Sequence, residues 1–205
     1  MTTLPDQVVD LYERHALAWD AARAHARPAG ERGWIARFLA LIPPGGRVLD
    51  LGCGSGEPIA RDLIEAGRRV TGVDAAPALL AMCRTRFPGA DWILADMRRL
   101  DLAQRFDGVI AWHSLFHLTE ADQEAMFGVF AAHAGPGAAL MFTSGPERGE
   151  TVGGFQGEPL YHARLDAQGY RTLLDRHGFT LVDHAVRDET CGGATIWLAT
   201  AAGER

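Results

Sequence analysis

Along the chain, short apolar runs alternate with stretches in which apolar positions recur every three or four residues. Residues 4–26 carry Val8, Leu11, Tyr12, His15, Trp19 and Ala22 at helical spacing, and Pro28, Ala29 and Gly30 break the pattern. A second helix follows, with Trp34, Ile35, Phe38, Leu39 and Ile42 on one side, and stops at Pro43-Pro44-Gly45-Gly46. Five strand-like runs come next, over 48–51, 69–74, 91–96, 106–112 and 138–143. Helical segments separate them, carrying first Ile59, Leu63 and Ile64, then Leu79, Leu80, Met82 and Cys83, and later Met126, Phe127, Val129 and Phe130. Asp166 opens a last helix, with Tyr170, Leu173 and Leu174 inward, which ends at His177-Gly178. A strand starting at Phe179 and another over 194–200 are joined by a turn over 188–193, so these two are antiparallel neighbours. The alternating β-α order predicts a mostly parallel sheet with helices on both faces. Residues 144–164 are the least regular part, rich in Gly and interrupted by Pro146 and Pro159. A loop of about 20 residues inside a compact domain is uncommon, and here it predicts a lid.

The most specific local signal is the run Val48-Leu49-Asp50-Leu51-Gly52-Cys53-Gly54-Ser55-Gly56, which reads as strand, tight turn and helix start. Glycine allows backbone angles that other residues resist and lets a ligand approach the main chain, and the N–H groups of a helix start face the same point. A dinucleotide fingerprint needs a further glycine where this chain has Glu57, an acid that repels a pyrophosphate. Asp50, just before the turn, suits a ligand bearing ammonium or sulfonium charge. Asp74 ends the second strand about 20 residues after the turn, the distance at which a carboxylate accepts from both hydroxyls of a ribose. It can also cap the helix that begins near Pro77.

Composition narrows the partners. At 205 residues and 47% hydrophobic, the chain suits one domain with a sizeable core. Its formal charge of −6 disfavours nucleic acid as a partner, and no basic run exceeds pairs such as Arg68-Arg69 and Arg98-Arg99. The basic side chains are all arginine. No apolar stretch approaches the roughly 20 residues of a membrane span, and the N-terminus lacks the order of a signal peptide. Cys53, Cys83 and Cys191 are widely spaced without a C-x-x-C pair, which fits a reducing, cytoplasmic setting.

The motif Asp50 to Gly56, with Asp74 and the pair Asp96-Met97 at the end of the third strand, resembles class I S-adenosylmethionine-dependent methyltransferases of the small-molecule branch. The resemblance implies a Rossmann-like sheet of seven strands, mostly parallel with an antiparallel last strand. It implies a single domain over 1–205: a helical cap at 1–45, a cofactor-binding core at 46–143, a lid-like insertion at 144–165, and a C-terminal helix and β-hairpin at 166–205. S-adenosylmethionine is then the cofactor and S-adenosylhomocysteine the product, with Asp50, Gly52, Cys53, Gly54, Gly56, Asp74 and Ala75 around the amino-acid and ribose parts. Asp96 accepts from the adenine amine and Met97 lies against the ring. Where relatives often have a capping Ser after the second acid, this chain has Ala75-Ala76. No Asn-Pro-Pro-Tyr-like motif follows the fourth strand, which disfavours nucleic-acid bases and glutamine amides as acceptors.

Other candidates come from residue type and place. Tyr12, Trp19 and Arg23 lie in the cap, where Arg23 suits the cofactor's carboxylate as a bidentate donor. Ligands of open parallel sheets sit at the strands' carboxyl ends, which nominates Trp112, His113 and His117 after the fourth strand. His113 or His162 is a candidate proton acceptor, and His117, Phe155 and Tyr161 are candidate walls for a small-molecule acceptor. His113 and His117 have metal-ligand spacing on a helix, but Ser114 stands where H-E-x-x-H needs Glu, so no metal is expected. Two rival functions remain at this level: a non-catalytic S-adenosylmethionine-binding module, and an NAD(P)-dependent oxidoreductase.

Overall fold

The computed structural model describes residues 3–25 and 27–203. Residues 1, 2, 26, 204 and 205, which include the end of the first helical stretch and part of the N-terminal reading, lie outside the described residues. The elements run α1 (Leu4–Arg14), α2 (Ala16–His25), α3 (Glu31–Ala40), β1 (Arg47–Leu51), α4 (Ile59–Glu65), β2 (Arg69–Asp74), α5 (Pro77–Arg86), β3 (Asp91–Leu94), β4 (Phe106–Ala111), α6 (Glu120–His133), β5 (Ala134–Ser144), β6 (Gly149–Phe155), β7 (Glu158–Arg164), α7 (Ala167–Arg176), β8 (Phe179–Asp188) and β9 (Ala194–Ala201). Seven strands form one sheet in the order β3-β2-β1-β4-β5-β9-β8. Pairing is parallel from β3 through β5, and β9 runs against both of its neighbours. The chain leaves β1 in one direction for β2 and β3 and returns on the other side for β4 and β5. This topological switch opens a crevice at the carboxyl ends of β1 and β4.

Alternation along the strands sends side chains to two cores. Leu49, Leu51, Val109, Ala111, Leu140 and Phe142 meet Met126, Phe127 and Phe130 of α6 and Tyr170, Leu173 and Leu174 of α7. Val48, Ile110, Ala139, Met141, Ile196 and Leu198 meet Trp34, Ile35 and Phe38 of α3 and Ile59, Ala60 and Leu63 of α4. Both faces are dry, as a central parallel sheet requires. The expected cap at Asp166 forms, accepting from the Gly169 N–H at 2.7 Å, and Thr119 caps α6 by accepting from the Asp122 N–H at 3.1 Å. Among the described residues, no helix is long and apolar enough to cross a membrane.

Two expectations change. The single helix over 4–26 is broken at His15, whose ring reaches Glu158 of the 149–164 segment at 2.6 Å, a tertiary contact absent from the local pattern. That segment is not irregular. It is a two-stranded antiparallel hairpin, β6 with β7, pairing Gly149 with Arg164 through to Phe155 with Glu158. Its two-residue turn, Gln156-Gly157, has φ of 53° and 81°, the positive angles of a type I′ turn. The signal was therefore present in the sequence, but weak, because Gln replaces the usual Asn or Asp and Pro159 interrupts the strand pattern. An isolated hairpin is marginal in water. Here Leu160, Tyr161 and Ala163 pack on Val8 and Leu11 of α1, which supplies the missing apolar face.

Candidate active site

The crevice is an open cleft at the carboxyl ends of the strands. Tyr12, Trp19, Gly52, Gly54, Asp74, Ala75, Asp96, Met97, His113 and His117 all line it, so the cap and the carboxyl ends of four strands meet there. A deeper recess adjoins it, lined by Trp19, Arg23, Asp50, Gly52, Cys53, Gly54, Trp112 and His113.

The floor is the glycine turn. Gly52 and Gly54 hold φ of 71° and 57°, which L side chains rarely adopt. A Cβ on Gly52 would stand 2.3 Å from Ser114 Cβ, and one on Gly54 would stand 3.4 Å from Trp19 Nε1, inside the space the cap leaves. The first N–H groups of the turn are engaged within the protein. The Gly52 and Cys53 N–H groups both donate to the Val73 carbonyl, at 2.8 and 3.1 Å, and the Gly54 N–H donates to Asp74 at 2.8 Å. The turn therefore contributes a close, side-chain-free approach rather than spare donors.

Three carboxylates surround this floor. Asp50 is 2% exposed, and its Oδ2 has no hydrogen-bond partner. Burial, and then the charge of Asp74, push its carboxyl up to about 7. Asp74 accepts from the Gly54 N–H and, at 2.9 Å, from the Ala76 N–H, so it fixes the glycine turn and the start of α5 together. Burial raises its carboxyl as well, against the lowering effect of these main-chain bonds. Asp96 takes the Arg98 N–H at 3.0 Å and the Arg98 guanidinium at 2.7–3.0 Å, which holds its carboxyl below the usual range. It opens the short turn Met97–Arg99 and lines the cleft.

Across the cleft, the Tyr12 hydroxyl and His117 Nε2 are 2.9 Å apart, and His117 Nδ1 is 3.1 Å from the Tyr161 carbonyl. A carbonyl only accepts, so Nδ1 carries the proton and Nε2 accepts from Tyr12. Burial drives His117 down to about 3, which keeps it neutral. The Tyr12 hydroxyl is pushed up by burial and by Asp74, which keeps it protonated. His113 follows β4 with φ of 54°, unusual for a side-chain-bearing residue, and its N–H donates to Thr143 Oγ1 at 2.8 Å. His113 and His117 do not share a helix face, since only the short turn Leu115–His117 lies between them and α6. Among the described residues, no group of three or more His, Cys, Asp or Glu could hold a metal ion, and the three cysteines are free and buried.

A family model described as a methyltransferase domain matches residues 48–137, the stretch from β1 into β5 that carries the turn and the acids at the strand tips. The chain is 29% identical over 180 residues to a malonyl-[acyl-carrier protein] O-methyltransferase of Serratia marcescens, covering 85% of this chain and 69% of the relative. It is 33% identical over 101 residues to a dTDP-3-amino-3,6-dideoxy-alpha-D-glucopyranose N,N-dimethyltransferase of Streptomyces fradiae, covering 48% of this chain and 39% of that one. Among solved structures, the complex of DhpI with S-adenosylhomocysteine superposes with a TM-score of 0.74 at 20% identity, over 98% of both chains.

Over residues 48–137 the chain matches the methyltransferase domain family, and its fold is shared with solved methyltransferases. The residues at the recess fit S-adenosylmethionine. The orphaned Oδ2 of Asp50 offers a buried acceptor to an ammonium, Arg23 offers a guanidinium in the same recess, and the turn is shaped for a ligand that approaches main chain. Not every candidate reaches the cleft. Gly56 has φ of 79° and closes the turn, its N–H donating to the Cys53 carbonyl at 3.0 Å, and a Cβ there would strike Phe87 at 2.9 Å. Phe155 lies behind the cap, with its ring centroid 5.8 Å from that of Trp19 and 6.3 Å from that of Tyr12. Tyr161 buries its ring on α1, and its carbonyl faces His117 Nδ1. His162 packs at a tilt against Phe116 and His117, at centroid distances of 5.4 and 4.9 Å, off the cleft lining. All three belong to the hairpin: Phe155 and Tyr161 pack with α1, and His162 packs on the short turn at Leu115–His117.

One residue was missed by sequence reasoning. Glu31, in the first turn of α3, is 0% exposed and contacts Trp112, Arg23, Arg27 and His113. Its only local cue is an acid on the apolar side of a helix.

Proposed function

We propose that the cofactor lies with its adenine between Asp96 and Met97, its ribose on Asp74 beside Ala75, and its amino-acid part in the recess, where Asp50 receives the ammonium and Arg23 the carboxylate. Tyr12 and Trp19 cover it from the cap. The observation that carries this reading is the unpartnered, buried Oδ2 of Asp50 beside the positive-φ glycines. A buried acceptor without a partner is costly, and a cationic group of the ligand removes that cost.

The cofactor supplies a sulfonium-bound methyl group and its own leaving group. The chain's part is to bind, orient and exclude water. His113 stands where β4 meets both cleft and recess, and we assign it the acceptor's proton: the acceptor's O–H or N–H bond breaks as its new bond to carbon forms. The acceptor is a small molecule. The Serratia relative is an O-methyltransferase and the Streptomyces relative an N,N-dimethyltransferase, so both oxygen and nitrogen acceptors fit the reading. A cytoplasmic setting agrees with three free thiols.

The test is a screen of carboxylic acids and amino sugar nucleotides with labelled methyl donor, following formation of S-adenosylhomocysteine. His113→Asn is expected to lower kcat/KM about 100-fold or more while S-adenosylhomocysteine binds within about twofold of wild type. An unchanged kcat/KM removes His113 from the proton's path. Binding of S-adenosylmethionine with no turnover of any acceptor favours a non-catalytic module.

A further inference from the structure

Glu31 is a fully buried carboxylate that packing alone does not call for. Its Oε1 accepts from Trp112 Nε1 and from Arg23 Nη2, both at 2.9 Å, and His113 Nε2 stands 3.5 Å away. Its Oε2 has no hydrogen bond, with Arg27 Nε at 3.5 Å. Burial acts to raise its carboxyl, yet His113, Arg23 and Trp112 overcome that and hold it at about 2, so Glu31 is an anion. Arg27 is already committed to Asp62, with one N–H at 3.1 Å. Trp112, His113 and Arg23 are also the groups that close one side of the recess beside Asp50.

We propose that Glu31 is a positioning residue for the amino-acid end of the cofactor: it holds Arg23, with Trp112 and His113, at the recess wall, and so lets the protein distinguish a nucleoside bearing an α-carboxylate from one without it. A guanidinium has five N–H donors in a rigid fork, and Glu31 takes one of them. An arginine tethered at one corner has already given up most of its side-chain freedom. A ligand carboxylate then meets a preformed partner instead of meeting the entropy of ordering it. The tether also keeps a buried cation balanced before the ligand arrives.

The inference rests on the cofactor reading above, and the test separates the two. Calorimetry is run with S-adenosylhomocysteine and with 5′-methylthioadenosine, which keeps the adenine, ribose and sulfur but lacks the amino acid. Glu31→Gln is expected to raise the Kd of S-adenosylhomocysteine about tenfold or more and to leave that of methylthioadenosine within about twofold. Arg23→Gln should give the same selective loss, and the double variant should lose no more than Arg23→Gln alone, because both act through one contact. Equal losses for both ligands make Glu31 a merely structural residue, and unchanged affinity for both removes it from the site; either result overturns the inference. If Glu31→Gln does not fold, Glu31→Asp is read by the same ratio, with a selective loss supporting the inference and a parallel loss overturning it. Wild-type protein that binds neither ligand overturns the cofactor reading, and the inference with it.

Discussion

Asp50 allows a quantitative test of how the site is arranged. Its carboxyl is raised from the ordinary 3.8 to about 7, by burial first and by the charge of Asp74 second. At about 1.4 kcal/mol for each tenfold change in acidity, holding it ionised in the ligand-free fold costs about 4 kcal/mol. A raised carboxyl favours the folded state fully below its unfolded value, and that advantage is lost as pH rises through about 7. Asp50→Asn keeps the shape and removes the titration. Relative to wild type, the substitution should therefore gain stability between pH 5 and pH 8 by about 2–3 kcal/mol. The amide's own burial subtracts about 1–3 kcal/mol at every pH and leaves this difference intact. Urea unfolding of both proteins at pH 5 and pH 8, without ligand, gives the number. The same variant should bind S-adenosylhomocysteine at least about tenfold more weakly at pH 8, since the ammonium loses a charged acceptor. A stability difference that does not change between the two pH values would refute the reasoning, because Asp50 would then be ionised, or neutral, in both states throughout.

Three further outcomes follow from the same geometry. Asp74→Ala should cost about 1–3 kcal/mol of S-adenosylhomocysteine affinity by calorimetry, the range for hydrogen bonds to a charged group; unchanged affinity counts against the ribose assignment. Gly52→Ala places a methyl 2.3 Å from Ser114 Cβ at φ of 71° and should destabilise the fold by about 2 kcal/mol or more in urea, while Gly45→Ala, also at φ of 71° but with nothing within 4 Å, should cost about 1 kcal/mol. His117, held near 3, binds its proton mainly in the unfolded chain, so wild-type stability should fall by about 2 kcal/mol from pH 7 to pH 5 on this account, and His117→Gln should remove that part of the slope; an unchanged slope would mean that His117 titrates normally.

Much of the architecture was legible because it is local. The β-α alternation, the cap at Asp166, and the glycine turn between Asp50 and Gly56 each follow from residues close in sequence, whose backbone angles or hydrogen bonds need no distant partner. Asp50 and Asp74 were nominated for the same reason: each lies at the carboxyl end of its strand, and parallel strands put those ends together. The tertiary structure decided the rest. The 149–164 segment became a hairpin because α1 covers its apolar face, and that same packing turned Tyr161 and Phe155 away from the ligand space. The Tyr12–His117–Tyr161 chain joins residues 105 and 44 positions apart, and the Glu31–Trp112 bond spans 81. A buried polar group must find its partner wherever the fold brings one, so the partners of Glu31 and of His117 belong to the fold, whereas the turn and the two acids beside it were written in the chain.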